Sequence, residues 1–198
     1  MQPTRTLPEK FVLAWKLDLK QNTRLNIILQ LIGLAWMALA GWLLTSLVMW
    51  LRPDFSESIR KGISINLTGA LLILVVMIVT ILLHELIHGL FFWVFAHARP
   101  EFGVGPGYAY AAMPDWYYPK RQYLAVAFAP LLALTILGLL ACFFVPHTWL
   151  GLLLAGIIIN AGGAIGDIYV GWRVARELEQ VWVKDTGDGF ELYRQQVG

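Results

Sequence analysis

His84, Glu85 and His88 are the residues whose types and spacing best fit catalytic chemistry in this sequence. On a helix, two histidines four residues apart lie about 40° from each other on one face, so both imidazoles can reach one metal ion. A glutamate next to the first histidine lies beside that face, where its carboxylate can take a proton from water. This is the spacing of zinc hydrolases. It predicts a metal ion bound by His84 and His88, with Glu85 as the catalytic base.

The motif lies in one of the most apolar stretches of the chain. Between Gly62 and Ala98, Glu85 is the only acid or base other than histidine. A carboxylate at the depth of a membrane core is costly, and it therefore usually marks function. We expect the metal site to lie inside a bilayer.

A third metal ligand is expected, because a catalytic zinc ion usually takes three protein ligands and keeps one open position. Asp167 is the only other acid deep within an apolar segment, and its depth is similar to that of His88. Gly162, Gly163 and Gly166 precede it and favour close approach of helices. The sequence therefore predicts Asp167 as the third ligand.

The asparagine at position 160 is a further candidate for the site. Asn160 precedes Asp167 by seven residues, which places the two about 20° apart on a helix. Its amide is expected to be catalytic as a donor to an oxyanion or to the substrate backbone, with an interhelical hydrogen bond as the alternative. Two histidines and an aspartate also suit iron or manganese. One zinc ion per chain is the cofactor that the motif favours.

Composition indicates an integral membrane protein. The chain has 198 residues, of which 58% are hydrophobic and 14% charged, and its net charge of +2 gives no reason to expect nucleic acid as a partner. Apolar segments long enough to cross a membrane lie at about 25–51, 66–97, 122–145 and 149–172. We predict an all-α fold with about four transmembrane helices, forming a single membrane-embedded, metalloprotease-like domain over residues 1–198 and surrounded by membrane lipid.

Two shorter segments predict extended structure. In Pro100–Arg121, the alternating Gly103, Gly105 and Gly107 indicate an extended or re-entrant segment between the second and third spans. Such a segment can pair with an extended substrate, although a connector with interfacial aromatic residues is an equal interpretation. In the C-terminal tail, two apolar runs flank the turn-rich Asp185–Gly189 and predict a small hairpin.

The basic residues predict an orientation in the membrane. With four spans, both termini lie on the same side as the segment between spans two and three. These three segments carry 12 of the Lys and Arg residues, and the opposite segments carry 3. Because lysine and arginine accumulate on the cytoplasmic side, both termini are expected to be cytoplasmic.

These residues resemble a family of small bacterial membrane proteins described as zincin peptidases, which are distantly similar to site-2 (intramembrane) metalloproteases. The resemblance implies a bacterial cytoplasmic membrane protein in which His84, His88 and Asp167 bind zinc and Glu85 is catalytic. It rests on Leu17–Lys20, His84–Gly89, Phe102–Tyr110, Ala129–Leu131, Asn160–Gly163, Gly166–Asp167 and Asp185–Gly189.

The combined prediction is a zinc-dependent intramembrane peptidase. It would hydrolyse a peptide bond in a peptide or transmembrane protein, within or close to the membrane and near its cytoplasmic face. The alternative is a metal-binding membrane scaffold or regulator without catalysis. A divalent-metal transporter fits less well, because no acid lies in the outer half of any predicted span. The sequence makes no prediction of oligomeric state.

Overall fold

The computed structural model describes residues 1–60, 66–105, 108–187 and 189–196. Gly62 at the start of the apolar stretch, Gly107 of the glycine alternation and Asp188 of the turn-rich linker lie outside the described residues. The helices are α1 (Thr23–Leu51), α2 (Pro53–Arg60), α3 (Leu67–Ala96), α4 (Lys120–Ala141), α5 (His147–Gly163) and α6 (Ile165–Ala175). The strands are β1 (Phe11–Asp18), β2 (Glu101–Gly105), β3 (Tyr108–Ala112), β4 (Tyr117–Pro119), β5 (Val181–Asp185) and β6 (Gly189–Gln195).

Three helices are long and apolar enough to cross a membrane. Helices α1, α3 and α4 have 29, 30 and 22 residues, and about 20 helical residues suffice to cross a hydrocarbon core. Helices α5 and α6 meet at Ala164 with a bend of 44° and add a fourth span if they are taken together. The fourth predicted span is therefore a broken helix rather than a straight one.

The prediction of an all-α fold is wrong, because the described residues include six strands in two sheets. The expected extended segment between the second and third spans is the antiparallel pair β2–β3, and the expected C-terminal hairpin is β5–β6. That hairpin belongs to a four-stranded antiparallel sheet in the order β1-β6-β5-β4. Strands β1 and β4 and helix α2 were not predicted.

The four-stranded sheet packs on one end of the helix bundle, which we call the sheet end. Helix α1 begins there, α3 ends there, and α4 and α6 also reach it. Buried side chains of the sheet and the helices form a common core at this end, so the sheet is packed directly on the helices. The core includes Leu17, Val181, Val183, Phe190 and Leu192 from the sheet and Phe92, Tyr123, Val126 and Val174 from the helices.

The opposite end of the bundle, which we call the far end, has its own smaller core. Val48 of α1, Phe55 of α2 and Leu150 of α5 pack there around the buried Cys142. Helix α2 therefore closes the far end of the bundle.

The register of β1 on β6 depends on the absence of a side chain at Gly189. Gly189 pairs with Asp18, and a Cβ atom there would lie 2.0 Å from the Leu17 carbonyl oxygen. Gly189→Ala should therefore lower the free energy of unfolding by about 1–3 kcal/mol. Gly151→Ala is the matched control, since nothing lies within 4 Å of that position and alanine favours the helix. Thermal unfolding in detergent should separate the two variants, and equal melting temperatures would contradict the expected clash.

Candidate metal centre

Helix α3 carries both histidines of the motif on its inner face. His84 and His88 are each 8% exposed, and their ring centroids lie 4.9 Å apart. Counting back from Ala96, where α3 ends, they lie about 12–18 Å from the sheet end of that helix at about 1.5 Å per residue. The helical spacing therefore brings the two rings together inside the bundle, as the sequence predicts.

Asp167 reaches the same point from α6. One carboxylate oxygen, Oδ2, lies 3.0 Å from His84 Nε2, and the other, Oδ1, lies 3.4 Å from His88 Nε2. Asp167 occupies the first turn of α6, where the helix dipole favours a negative charge. The break at Ala164 therefore places the carboxylate at a helix start between the two histidines.

This arrangement fits a zinc ion. The ligand atoms of His84, His88 and Asp167 all lie within 4.8 Å of one another. Ligands at about 2.0–2.2 Å in a tetrahedral site are separated by about 3.4 Å, which is close to the observed distances between the carboxylate and the two Nε2 atoms. Two imidazoles and one carboxylate are the donor set of a catalytic zinc site with one open position.

Each histidine also has a partner on its other ring nitrogen. His84 Nδ1 lies 2.9 Å from Asn160 Oδ1, and His88 Nδ1 lies 3.0 Å from the backbone carbonyl oxygen of Val126. A carbonyl oxygen only accepts hydrogen bonds, so both Nδ1 atoms donate. The proton on Nδ1 leaves Nε2 of each neutral ring free to bind a metal ion.

Asn160 has contacts that differ from those expected of an oxyanion donor. Its side chain is 2% exposed, and its Nδ2 donates to the Pro130 carbonyl oxygen at 3.4 Å while its Oδ1 accepts from His84. Both ends of the amide are therefore engaged within the protein. This geometry favours a role for Asn160 in orienting His84 over the predicted catalytic contact with substrate.

The glycines before Asp167 have two different roles. A Cβ atom on Gly162 would lie 2.9 Å from the Met37 side chain, so this glycine permits close approach of α1. Nothing lies within 4 Å of a Cβ on Gly163 or Gly166. The expectation that all three glycines serve helix packing is therefore wrong for these two, which line a cavity instead.

A cavity of about 740 Å³ adjoins the metal site. Glu85 lines it together with the two histidines and Asp167. Its other walls come from α1, from β3 and from the sheet end of the bundle. They include Leu29, Gly33 and Met37 of α1, Ala109, Tyr110 and Ala111 of β3, Leu17 and Asp185 of the sheet, and Gly187 of the turn between β5 and β6.

The edge of β3 contacts the glutamate of the motif. Strand β3 pairs with β2 on one side, and the backbone N–H of Ala111 interacts with the Glu85 carboxylate on the other. In an antiparallel strand, alternate residues direct their N–H and C=O groups to the same edge. Ala109 therefore also directs its backbone groups to the edge that faces the cavity.

Asp185 and Tyr123 line the cavity and were not predicted as site residues. The Tyr123 hydroxyl donates to Asp185 Oδ2 at 2.9 Å, and the Gly187 N–H donates to Asp185 Oδ1 at 2.9 Å. Burial raises the pKa of the Asp185 carboxyl from 3.8 to about 6. The available signal was an acid at the start of a glycine-rich turn, which sequence reasoning took for a plain turn.

A helix with two histidines four residues apart, a carboxylate from a second helix and a nearby glutamate is the constellation of zinc metallopeptidases. The chain belongs to the family described as “Putative zincin peptidase”, which matches residues 77–182, more than half of its length. The matched segment contains all five candidate site residues, from His84 to Asp167. Membership implies a metallopeptidase with zinc as its cofactor. No curated protein and no solved structure gives a significant match.

The buried carboxyl of Asp185 should make stability depend on pH. Its pKa is raised in the folded state, so the fold favours the protonated acid. This contribution is complete below about pH 4 and is lost as the pH rises toward 6. In the presence of a chelator, wild type should lose about 2–3 kcal/mol relative to Asp185→Asn across this interval.

Asp185→Asn is a suitable comparison because an amide can keep both hydrogen bonds. Its oxygen can accept from the Gly187 N–H, and its NH2 group can donate to the Tyr123 hydroxyl. Thermal unfolding of both proteins at pH 4, 5, 6 and 7 measures the difference. Parallel curves for the two proteins would show that Asp185 has an ordinary pKa in the fold.

Proposed function

We propose that this protein is a zinc-dependent intramembrane peptidase that hydrolyses a peptide bond of a membrane or membrane-proximal substrate. The observation that carries the proposal is the convergence of His84, His88 and Asp167 beside Glu85, at the wall of a cavity between apolar helices. Charged and polar side chains at this depth are costly, and they need a functional reason to be there.

The proposed roles follow from the contacts of each side chain. His84, His88 and Asp167 would hold one zinc ion, which would supply a Lewis acid and lower the pKa of water to about 7. Glu85 is not among the clustered ligand atoms but lines the same cavity. Its carboxylate would accept a proton from the attacking water and deliver it to the amine that leaves.

The shape of the cavity supports a peptide substrate. Strand β3 has one edge free of β2, and its Ala109 backbone groups face the cavity. An extended peptide could add to this edge through backbone hydrogen bonds, close to Glu85. Gly163 and Gly166 line the same cavity and leave room for the backbone of a bound chain. A substrate helix would have to unwind locally, because its peptide bonds are shielded while they remain helical.

The position of the site supports cleavage near one membrane face. The metal ligands lie nearer the sheet end than the far end of α3, and the sheet end carries most of the lysine and arginine residues of the chain. By the distribution of basic residues, the sheet end would face the cytoplasm. Water would then reach the cavity from the cytoplasmic side.

A metal-binding scaffold without catalysis is the second candidate function. It is favoured by the ligand cluster itself, since His84, His88 and Asp167 would hold a metal ion whether or not Glu85 takes part in catalysis. The two candidates differ in the role of Glu85, since a scaffold needs the three ligands but has no use for a general base.

Metal content and hydrolysis together test the proposal. Purified wild type should hold about one zinc ion per chain, and His84→Ala and Asp167→Ala should bind zinc at least about tenfold more weakly. Glu85→Gln is the matched control, because it leaves the ligands intact. It should keep the zinc ion and lose a factor of about 10²–10⁴ in hydrolysis. Hydrolysis can be measured by mass spectrometry on a library of single-span peptides reconstituted with the enzyme in proteoliposomes.

The results distinguish the candidate functions. Absence of zinc from wild type after incubation with zinc would exclude the metallopeptidase. Zinc binding with equal hydrolysis by wild type and Glu85→Gln would remove Glu85 from the mechanism. Zinc binding without any hydrolysis across the library would favour the scaffold.

The proposed orientation predicts the location of both termini. Green fluorescent protein, which folds in the cytoplasm, should fluoresce when it is fused to either terminus. Alkaline phosphatase, which requires export, should be inactive when it is fused to either terminus. An alkaline phosphatase inserted within Pro53–Arg60 at the far end should be active. The reverse pattern at all three positions would show that the site faces the outside of the cell.

A further inference from the structure

Pro130 interrupts the hydrogen-bond pattern of α4 at the level of the metal site. Proline has no backbone N–H, so in a helix the carbonyl four residues earlier loses its donor. Here that carbonyl belongs to Val126, and both residues are almost completely buried. An unsatisfied carbonyl is costly at membrane depth, so the Val126 oxygen needs a donor from outside its own helix.

His88 supplies that donor. Its Nδ1 lies 3.0 Å from the Val126 carbonyl oxygen, and its Nε2 faces Asp167 on the other side of the ring. Because the carbonyl can only accept, this contact holds the proton on Nδ1 and leaves Nε2 for the metal ion. Because Pro130 lacks an N–H, the Val126 carbonyl is free to accept the hydrogen bond that orients His88, one of the proposed zinc ligands.

The carbonyl group of Pro130 is linked to the other histidine. Its oxygen accepts from Asn160 Nδ2 at 3.4 Å, which orients the amide so that Asn160 Oδ1 faces His84 Nδ1 at 2.9 Å. Position 130 is thus linked to both rings. The missing N–H leaves the Val126 carbonyl to His88, which is specific to proline, whereas the backbone carbonyl of residue 130 reaches His84 through Asn160.

We propose that Pro130 is a positioning residue for the metal site, because the N–H that it lacks leaves the Val126 carbonyl free to fix the orientation and tautomer of His88. The proposal rests on the proposed zinc site, but it does not require peptide hydrolysis. Partners of metal-bound histidines typically change metal affinity by about 10–100-fold when they are removed. Pro130 acts through one such partner, the Val126 carbonyl that accepts from His88.

Pro130→Ala tests the proposal because it restores the N–H that competes with His88 for the Val126 carbonyl. Zinc affinity, measured by competition with a chromophoric chelator, should fall by about 10–100-fold. The melting temperature of the metal-free variant should not fall with it, because alanine is a far better helix former than proline. A proline that serves packing alone would not weaken zinc binding while leaving the metal-free fold intact.

Leu131→Ala is the matched control, since it shortens the neighbouring side chain of α4 without adding a backbone donor. It should bind zinc about as tightly as wild type. A second readout is the nitrogen NMR spectrum of histidine-labelled protein loaded with zinc. Wild type should show Nδ1 protonated in both rings, and Pro130→Ala should lose the hydrogen-bond shift at His88 Nδ1.

Two results would overturn this inference alone, namely equal zinc affinities of wild type and Pro130→Ala, or equal losses of affinity in Pro130→Ala and Leu131→Ala. Absence of zinc binding by wild type would overturn the proposed function and this inference together. A selective loss of affinity and of the His88 signal in Pro130→Ala would support it.

Discussion

The contact of the Asp167 carboxylate with two imidazoles inside an apolar bundle is the constraint on which the rest of the structure depends. A carboxylate in hydrocarbon is unstable without charge or hydrogen-bond partners. Here each carboxylate oxygen faces one histidine, and each histidine has a further partner on its other nitrogen. A zinc ion would complete the compensation of charge. The polar groups form one connected set, as buried polar groups must if their burial is to be tolerated.

The helices are shaped to build this set. A straight span through Asn160 and Asp167 would place the two side chains on one face, but the bend at Ala164 separates their tasks. Asn160 remains on α5 and contacts Nδ1 of His84, whereas Asp167 lies in the first turn of α6 and faces Nε2 of both rings. Gly162 allows α1 to pack closely just before the bend, whereas Gly163 and Gly166, one on each side of the bend, leave open space beside the cavity. The break thus lets Asn160 contact one histidine from α5 while Asp167 approaches both histidines from α6.

Sequence reasoning reached the site more fully than the fold around it. The two histidines and Glu85 were predictable because helical spacing alone determines their relative positions, and Asp167 because it is the one other acid deep in an apolar segment. The free carbonyl of Val126 was within reach as well, since Pro130 follows Val126 by four residues, but its donor His88 was not, because it lies on another helix. The bend at Ala164 was not, because neither proline nor glycine occupies that position. Strand β1 was missed because its pairing partner lies at the other end of the sequence and because its first five residues are all apolar, so that alternation is confined to its last four residues.

The order of the strands in the four-stranded sheet has a consequence for biosynthesis. Strand β1 precedes every described helix in the sequence, yet in the described structure it pairs only with β6, which follows all of those helices. Pairing over such a sequence separation closes late. The sheet side of the cavity, including Asp185 and Gly187, is therefore assembled only after all the described helices have been synthesised. A nascent chain that already contains His84, His88 and Asp167 would still lack one wall of the cavity until β6 has been synthesised, and any reactivity of the site would be delayed to that point.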